Sequence, residues 1–131
     1  MWICTNKTFL SVVQPAADDP ANLGDCLLVR ARLKGHIESV FPDADVVEVP
    51  GRDYQLRAYV RRGEVAVAVM RQVQTIDYPN FKNSVRNPRL HDAYACTWGV
   101  LAQMQEIPPY ETMPRKRKPF AVDPAHPYSN N

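Results

Sequence analysis

Tyr54-Gln55-Leu56-Arg57-Ala58-Tyr59-Val60-Arg61 alternates without a break. Tyr54, Leu56, Ala58 and Val60 fall on one parity, and Gln55, Arg57, Tyr59 and Arg61 on the other. A period of two belongs to a strand with one buried face. Just upstream, Asp45 to Val49 reads as a short strand. Pro50-Gly51-Arg52-Asp53 joins the two, with Pro presetting φ and Gly accepting positive φ, so the pair is expected to be a β-hairpin. Cys26 to Leu33 (CLLVRARL) repeats the pattern, with Leu27, Val29, Ala31 and Leu33 on one side and Cys26, Leu28, Arg30 and Arg32 on the other. Thr8 to Gln14 (TFLSVVQ), rich in β-branched and aromatic residues, is a further strand. Pro15 to Asp25 is a loop by composition.

Helices are expected between and after these strands. Leu33, Ile37, Val40 and Phe41 recur at spacings that mark one helix face, and Pro42 ends the pattern. Gly63 to Ile76 is ambiguous by periodicity. Val65, Val67 and Val69 alternate, yet Val65, Val69, Val73 and Ile76 also line a helix face, and the length of the run favours helix. A short helical turn covers Phe81 to Val85. Asn87-Pro88 reads as a cap followed by proline at the first helical position, opening a helix with Leu90, Tyr94, Trp98 and Leu101 on one face that ends near Glu106. The order is ββα-ββα-α and then a tail. The expected fold is α+β: a four-stranded, mostly antiparallel sheet with helices on one face and the other face open to solvent or a partner.

The 131 residues suit one domain, with 45% hydrophobic and 23% charged residues. The boundary is expected at Glu106. Up to there the body is neutral, with 12 Lys/Arg against 12 Asp/Glu, and residues 107–131 form a Pro-rich tail carrying the excess positive charge. Cys4, Cys26 and Cys96 are odd in number and widely spaced, unlike a disulfide scaffold, and no CxxC suggests zinc. Met1 to Lys7 has no signal-peptide-like apolar run, and no stretch approaches the ~20 apolar residues of a membrane span. These features lead to the expectation of a cytoplasmic chain without membrane contact.

Four places could carry chemistry. On the outward parity of two strands, Arg30, Arg32, Arg57 and Arg61 with Tyr59 form a basic patch carrying an aromatic if the strands are neighbours. Such faces bind single-stranded nucleic acid by stacking and charge, and the plainer alternative, favoured by the neutral charge of the body, is a solvated sheet face with acidic neighbours. In the tail, Arg115, Lys116, Arg117 and Lys118 form a compact cationic run suited to phosphate or to an acidic protein surface, with a solubilising tail as the alternative. His91, Asp92 and Cys96 sit close together on one helix, but a nucleophilic pair or a metal needs a geometry that nothing in the spacing specifies. The bland reading buries Cys96 and Trp98 in the core and leaves His91 near the helix start. Asp77-Tyr78-Pro79-Asn80-Phe81-Lys82 is a mixed loop that reads most simply as a connector anchored by Tyr78 and Phe81. No Walker A loop, GxGxxG, GxSxG, HExxH or EF-hand loop occurs. The chain has five glycines, few for a phosphate cradle. No cofactor or metal is expected.

Met1-Trp2-Ile3 with Phe9-Leu10-Ser11-Val12-Val13, Leu27-Leu28-Val29-Arg30-Ala31-Arg32, Ile76-Asp77-Tyr78-Pro79-Asn80-Phe81-Lys82, His91-Asp92-Ala93-Tyr94 and Trp98 together resemble a family of small bacterial and phage proteins of unknown function. The likeness covers Met1 to about Gln105 and leaves the tail outside; Ala16 to Gly24 looks longer than the family's link at that place. The resemblance implies a single compact domain and a bacterial or phage setting, and it assigns no catalytic residue. The resulting expectation is a non-enzymatic interaction protein whose partner is a host protein or complex. If the chain is phage-borne, its concrete form is an inhibitor of a host defence complex, of the anti-CRISPR kind. The alternative is a nucleic-acid-binding module using Arg30, Arg32, Arg57, Arg61 and the Arg115 to Lys118 run.

Overall fold

A computed structural model describes residues 1–22, 24–107 and 109. The chain divides into a unit spanning Met1–Thr97 and a second beginning at Trp98. The first holds a five-stranded antiparallel sheet in the order β1-β2-β3-β5-β4. Its strands are β1 (Trp2–Cys4), β2 (Phe9–Val13), β3 (Cys26–Ala31), β4 (Val47–Glu48) and β5 (Leu56–Arg61). The expected hairpin is present, with Val47 opposite Arg57, and Gly51 takes φ of 81° in the turn. A left-handed φ of this kind is open to glycine at little cost.

Two expectations are corrected. The sheet has five strands, because Trp2–Cys4 folds back on β2 and places Trp2 opposite Ser11. The segment from Leu33 to Phe41 is a run of turns and not a helix. Gly35 stands at φ 84°, outside the helical region, so a regular ladder cannot pass through it. Isolated bonds of helical span survive there, such as Phe41 N–H to Ile37 O at 2.8 Å. His36 turns back onto the strand, and its Nδ1 accepts the Phe9 N–H at 3.2 Å. The order is therefore five strands and then helices, not two ββα units.

The helices α1 (Arg62–Gln74), α2 (Phe81–Ser84) and α3 (Pro88–Leu101) follow, and a 3-10 turn covers Ala102–Met104. Helix α1 starts directly after β5, with Glu64 in its first turn and Arg71 in its last, where each suits the helix dipole. Val65 and Ala68 are buried and Val69 is partly so, while Val73 and Ile76 are exposed, so the core-facing stripe is narrower than the valine spacing suggests. Helix α3 opens as expected, because Asn87 Oδ1 accepts the Leu90 N–H at 3.2 Å.

The main core lies on one sheet face. Leu10, Val12, Val29, Ala31, Leu56, Ala58 and Val60 meet Val65 and Ala68 of α1 and Ile37 and Phe41 of the turns. A second cluster joins Val85, Leu90 and Tyr94 to Phe81 and to Phe9. Phe9 belongs to the other sheet face, two residues from Ser11. That second cluster is anchored by the Tyr94 hydroxyl, which donates towards the carbonyls of Thr5 (3.0 Å) and Thr8 (2.8 Å). Its helical elements therefore do not share the α1 face. No helix of the described residues is long and apolar enough to cross a membrane.

Candidate binding site on the arginine face of the sheet

Strands β3 and β5 are hydrogen-bonded neighbours, which brings the expected arginines together. Arg30 lies opposite Arg57, Leu28 opposite Tyr59 and Cys26 opposite Arg61. Trp2, Ser11, Arg30 and Arg57 form one transverse row across four strands. Tyr59 and Trp2 are exposed on this face. Arg32 lies just beyond the end of β3, where the chain bends away.

The residue that organises the face is Tyr54, which alternation assigned to the opposite side. Strand β5 begins only at Leu56, and the bend from Arg52 to Tyr54 frees the tyrosine from the period of the strand. Its ring is buried at 4% exposure, stacks on Phe9 at 6.4 Å, and lies beneath two guanidinium groups. The Arg30 Cζ stands 4.7 Å from the ring centroid and the Arg32 Cζ 4.5 Å. The third arginine joins through the backbone, Arg57 Nε donating to the Tyr54 carbonyl at 3.0 Å. One tyrosine thus touches three arginines, a use of the aromatic face and of the planar guanidinium that lysine would not reproduce.

The remaining contacts fix the same groups. Arg30 Nη2 donates to Ser11 Oγ at 2.8 Å, and its buried Nε has no acceptor among the described residues. Arg57 also meets Asp53 at 3.4 Å, a half-exposed ion pair of small energetic weight. Among the described residues no carboxylate lies within ion-pair distance of Arg30, Arg32 or Arg61. Asp19, in the segment after β2, reaches the edge of the face, where the Tyr59 hydroxyl donates to it. That bond lowers the Asp19 pKa, helped by the Ala21 N–H, and raises that of Tyr59. The loop is further tied by Gln14 to Asn22 and Arg62 to Gln14, and by Arg62 N–H to Asp25 O at 2.7 Å. The face is therefore bordered by acidic residues, Asp19 at Tyr59 and Asp53 at Arg57, as the solvated alternative expects.

The other candidates fare differently. Cys96 is exposed, contrary to the expected core position, because α3 buries only Leu90 and Tyr94 within its length. His91 does sit in the first turn, with Nδ1 3.5 Å from Asp92. Among the described residues no hydrogen bond or ion pair joins Cys96 to His91 or Asp92. Among the described residues no group of three His, Cys, Asp or Glu could hold a metal ion. Arg115, Lys116, Arg117 and Lys118 lie outside the described residues. Asp19, Ser11, Phe9 and Tyr54 were not foreseen as parts of the arginine face; the bend after Pro50-Gly51 was the one hint that Tyr54 could leave its strand register.

No protein-family model matches the chain, no curated protein matches it, and no solved structure matches it.

Proposed function

We propose that the chain is a non-enzymatic binding protein that engages an acidic surface of a larger protein through Arg30, Arg32, Arg57, Tyr59 and Arg61. The observation that carries this reading is the immobilisation of three arginines by Tyr54. An arginine already held on a ring, as Arg30 and Arg32 are, or on a carbonyl, as Arg57 is, loses little further freedom when it meets a carboxylate, and a pre-organised site binds more tightly for the same contacts. The unpaired guanidinium groups of Arg32 and Arg61 supply steering and specificity for negative charge. The bacterial or phage setting implied by the sequence resemblance makes a host defence complex the concrete partner and the chain a phage-borne inhibitor that occupies a site on it.

A second reading, single-stranded nucleic acid, is favoured by the exposed rings of Trp2 and Tyr59 on the same face. One experiment separates the two. Capture from bacterial lysate is run with and without nuclease, using the full chain and an Arg57→Glu, Arg61→Glu variant whose fold is checked by circular dichroism. The protein-interaction reading expects a defined protein that survives nuclease and moderate salt and is lost from the variant. If everything captured disappears with nuclease and binding falls steeply with salt, that reading fails and the nucleic-acid one stands. Retention of the same partner by the variant would remove the arginine face from both.

A further inference from the structure

At the turn between β1 and β2 a cleft of about 690 Å³ opens between Asn6 and Lys7 and the segment from Asp77 to Asn87. Its lining lies within Met1–Thr97 and shares no residue with the arginine face. The volume suits a small molecule, such sites spanning roughly 300–1,000 Å³. Its donors and acceptors are unequal. Asn80 Oδ1 accepts the Asn83 N–H at 3.1 Å, and Asn87 Oδ1 accepts the Leu90 N–H at 3.2 Å. With both oxygens engaged, the two side chains keep their NH₂ groups as donors. Lys7 and Arg86 stand exposed at the cleft with no carboxylate in ion-pair distance among the described residues. Among the described residues Asp77 is the one acid in the lining, and no cation lies within ion-pair distance of it. The half-buried ring of Tyr78 is propped by Phe81 at 6.0 Å.

Two free cations, amide donors, one free carboxylate and an aromatic ring in one cleft call for a ligand with an anionic end, a flat ring and an edge that donates. We propose that the cleft binds a guanine nucleotide, with Lys7 and Arg86 holding the phosphate, Tyr78 stacking the base and Asp77 accepting from its N–H edge. Guanine is the base that offers a carboxylate two adjacent N–H donors, whereas adenine presents a ring acceptor beside its amino group. Phosphate on lysine and arginine forms charge-assisted bonds, the stronger class of hydrogen bond.

The test is an amide-resolved NMR titration of the full chain with guanosine monophosphate, adenosine monophosphate, guanosine and inorganic phosphate. Guanosine monophosphate should give saturable shifts at Lys7, Asp77 to Asn80 and Arg86. Guanosine and phosphate alone should each bind at least about tenfold more weakly, the loss expected when hydrogen bonds to charged groups go unmade. Lys7→Ala and Arg86→Ala should each weaken the nucleotide about tenfold and leave guanosine unchanged. Asp77→Asn should erase the preference over adenosine monophosphate. All three side chains are exposed, so a dispersed spectrum confirms that each variant is folded. The proposal is overturned if the nucleotide gives no saturable shift, if phosphate alone binds equally well, if the two nucleotides bind alike, or if the shifts fall on Arg30 and Arg57 instead.

Discussion

The two faces of the sheet come from the same alternating strands and are held by different forces. On one, Leu10, Val12, Val29, Ala31, Leu56, Ala58 and Val60 disappear beneath α1 and the Leu33 to Phe41 turns, and the contacts are apolar throughout. On the other, Trp2, Phe9, Ser11, Arg30, Arg57 and Tyr59 are ordered by ring contacts and hydrogen bonds, one of them to Asp19 at the edge. Apolar burial carries stability in proportion to area, whereas exposed side chains of the second face, such as Tyr59 and Arg61, add little each. The first face therefore carries the main core, and the exposed groups of the second can serve recognition without the fold depending on them.

The sharpest way to break this contrast is to cut one side chain from each face. Ile37 is fully buried in the main core although no helix carries it. Ile37→Ala should cost about 3 kcal/mol, the middle of the range for deleting a buried aliphatic side chain. Arg61→Ala, at an exposed position on the arginine face, should stay within about 0.5 kcal/mol. Urea unfolding of the two variants decides. Comparable losses would mean that the arginine face is part of the stability core, and the division of labour between the faces would fall.

The second cluster is intermediate, since it has an apolar centre and a polar anchor. Burial pushes the Tyr94 hydroxyl well above the ordinary tyrosine pKa, with Cys4 adding to the effect, so the group remains a neutral donor. Tyr94→Phe removes that donor from beside two carbonyls near the β1–β2 turn while keeping the ring packed against Phe81 at 5.2 Å. The expected loss is about 1–2 kcal/mol, a buried hydrogen bond together with acceptors left short of a donor. Thermal or urea unfolding checks it. A variant as stable as the parent would show that the anchor is replaceable and that ring packing alone joins this cluster to the sheet.

What the sequence made readable follows the same division. Alternation in Cys26 to Ala31 and Leu56 to Arg61 placed Arg30, Arg57, Tyr59 and Arg61 on a common side, and the caps and length located α1 and α3. Periodicity failed where local backbone chemistry overrode it. Ile37, Val40 and Phe41 have helical spacing and do face the core, but consecutive turns serve the same purpose once Gly35 adopts positive φ. Trp2–Cys4 was too short a run to stand out as a strand. Tyr54 kept the parity of Leu56 on paper and lost it at the bend, so the residue that gathers three arginines was assigned to the wrong face. The identity of the arginines was legible because strands repeat, and their pre-organisation was not, because it depends on where one strand starts.

The smallest expected effect concerns how the recognition face is bordered. Asp19 and Tyr59 hold the Pro15 to Asp25 loop by one exposed hydrogen bond that requires a carboxylate and a neutral phenol. The Asp19 pKa is lowered from its ordinary 3.8, so this group contributes to the loop's attachment above that value and ceases to as pH falls through the lowered one. The Tyr59 pKa is raised from 10.0, so its contribution is complete below 10.0 and is lost as pH rises through the raised value. Loop attachment should therefore be flat between these limits and decline on both sides. Proteolysis within Ala16 to Gly24, using acid-active and alkali-active proteases with rates normalised on an unstructured peptide, follows this directly. Tyr59→Phe should cut as fast at neutral pH as the parent does beyond either limit, with little change in global unfolding. If the parent and Tyr59→Phe are cleaved alike at neutral pH, the loop is held by its Gln14, Asn22 and Arg62 contacts instead. A partner that engages Tyr59 would then displace Asp19 without releasing the loop.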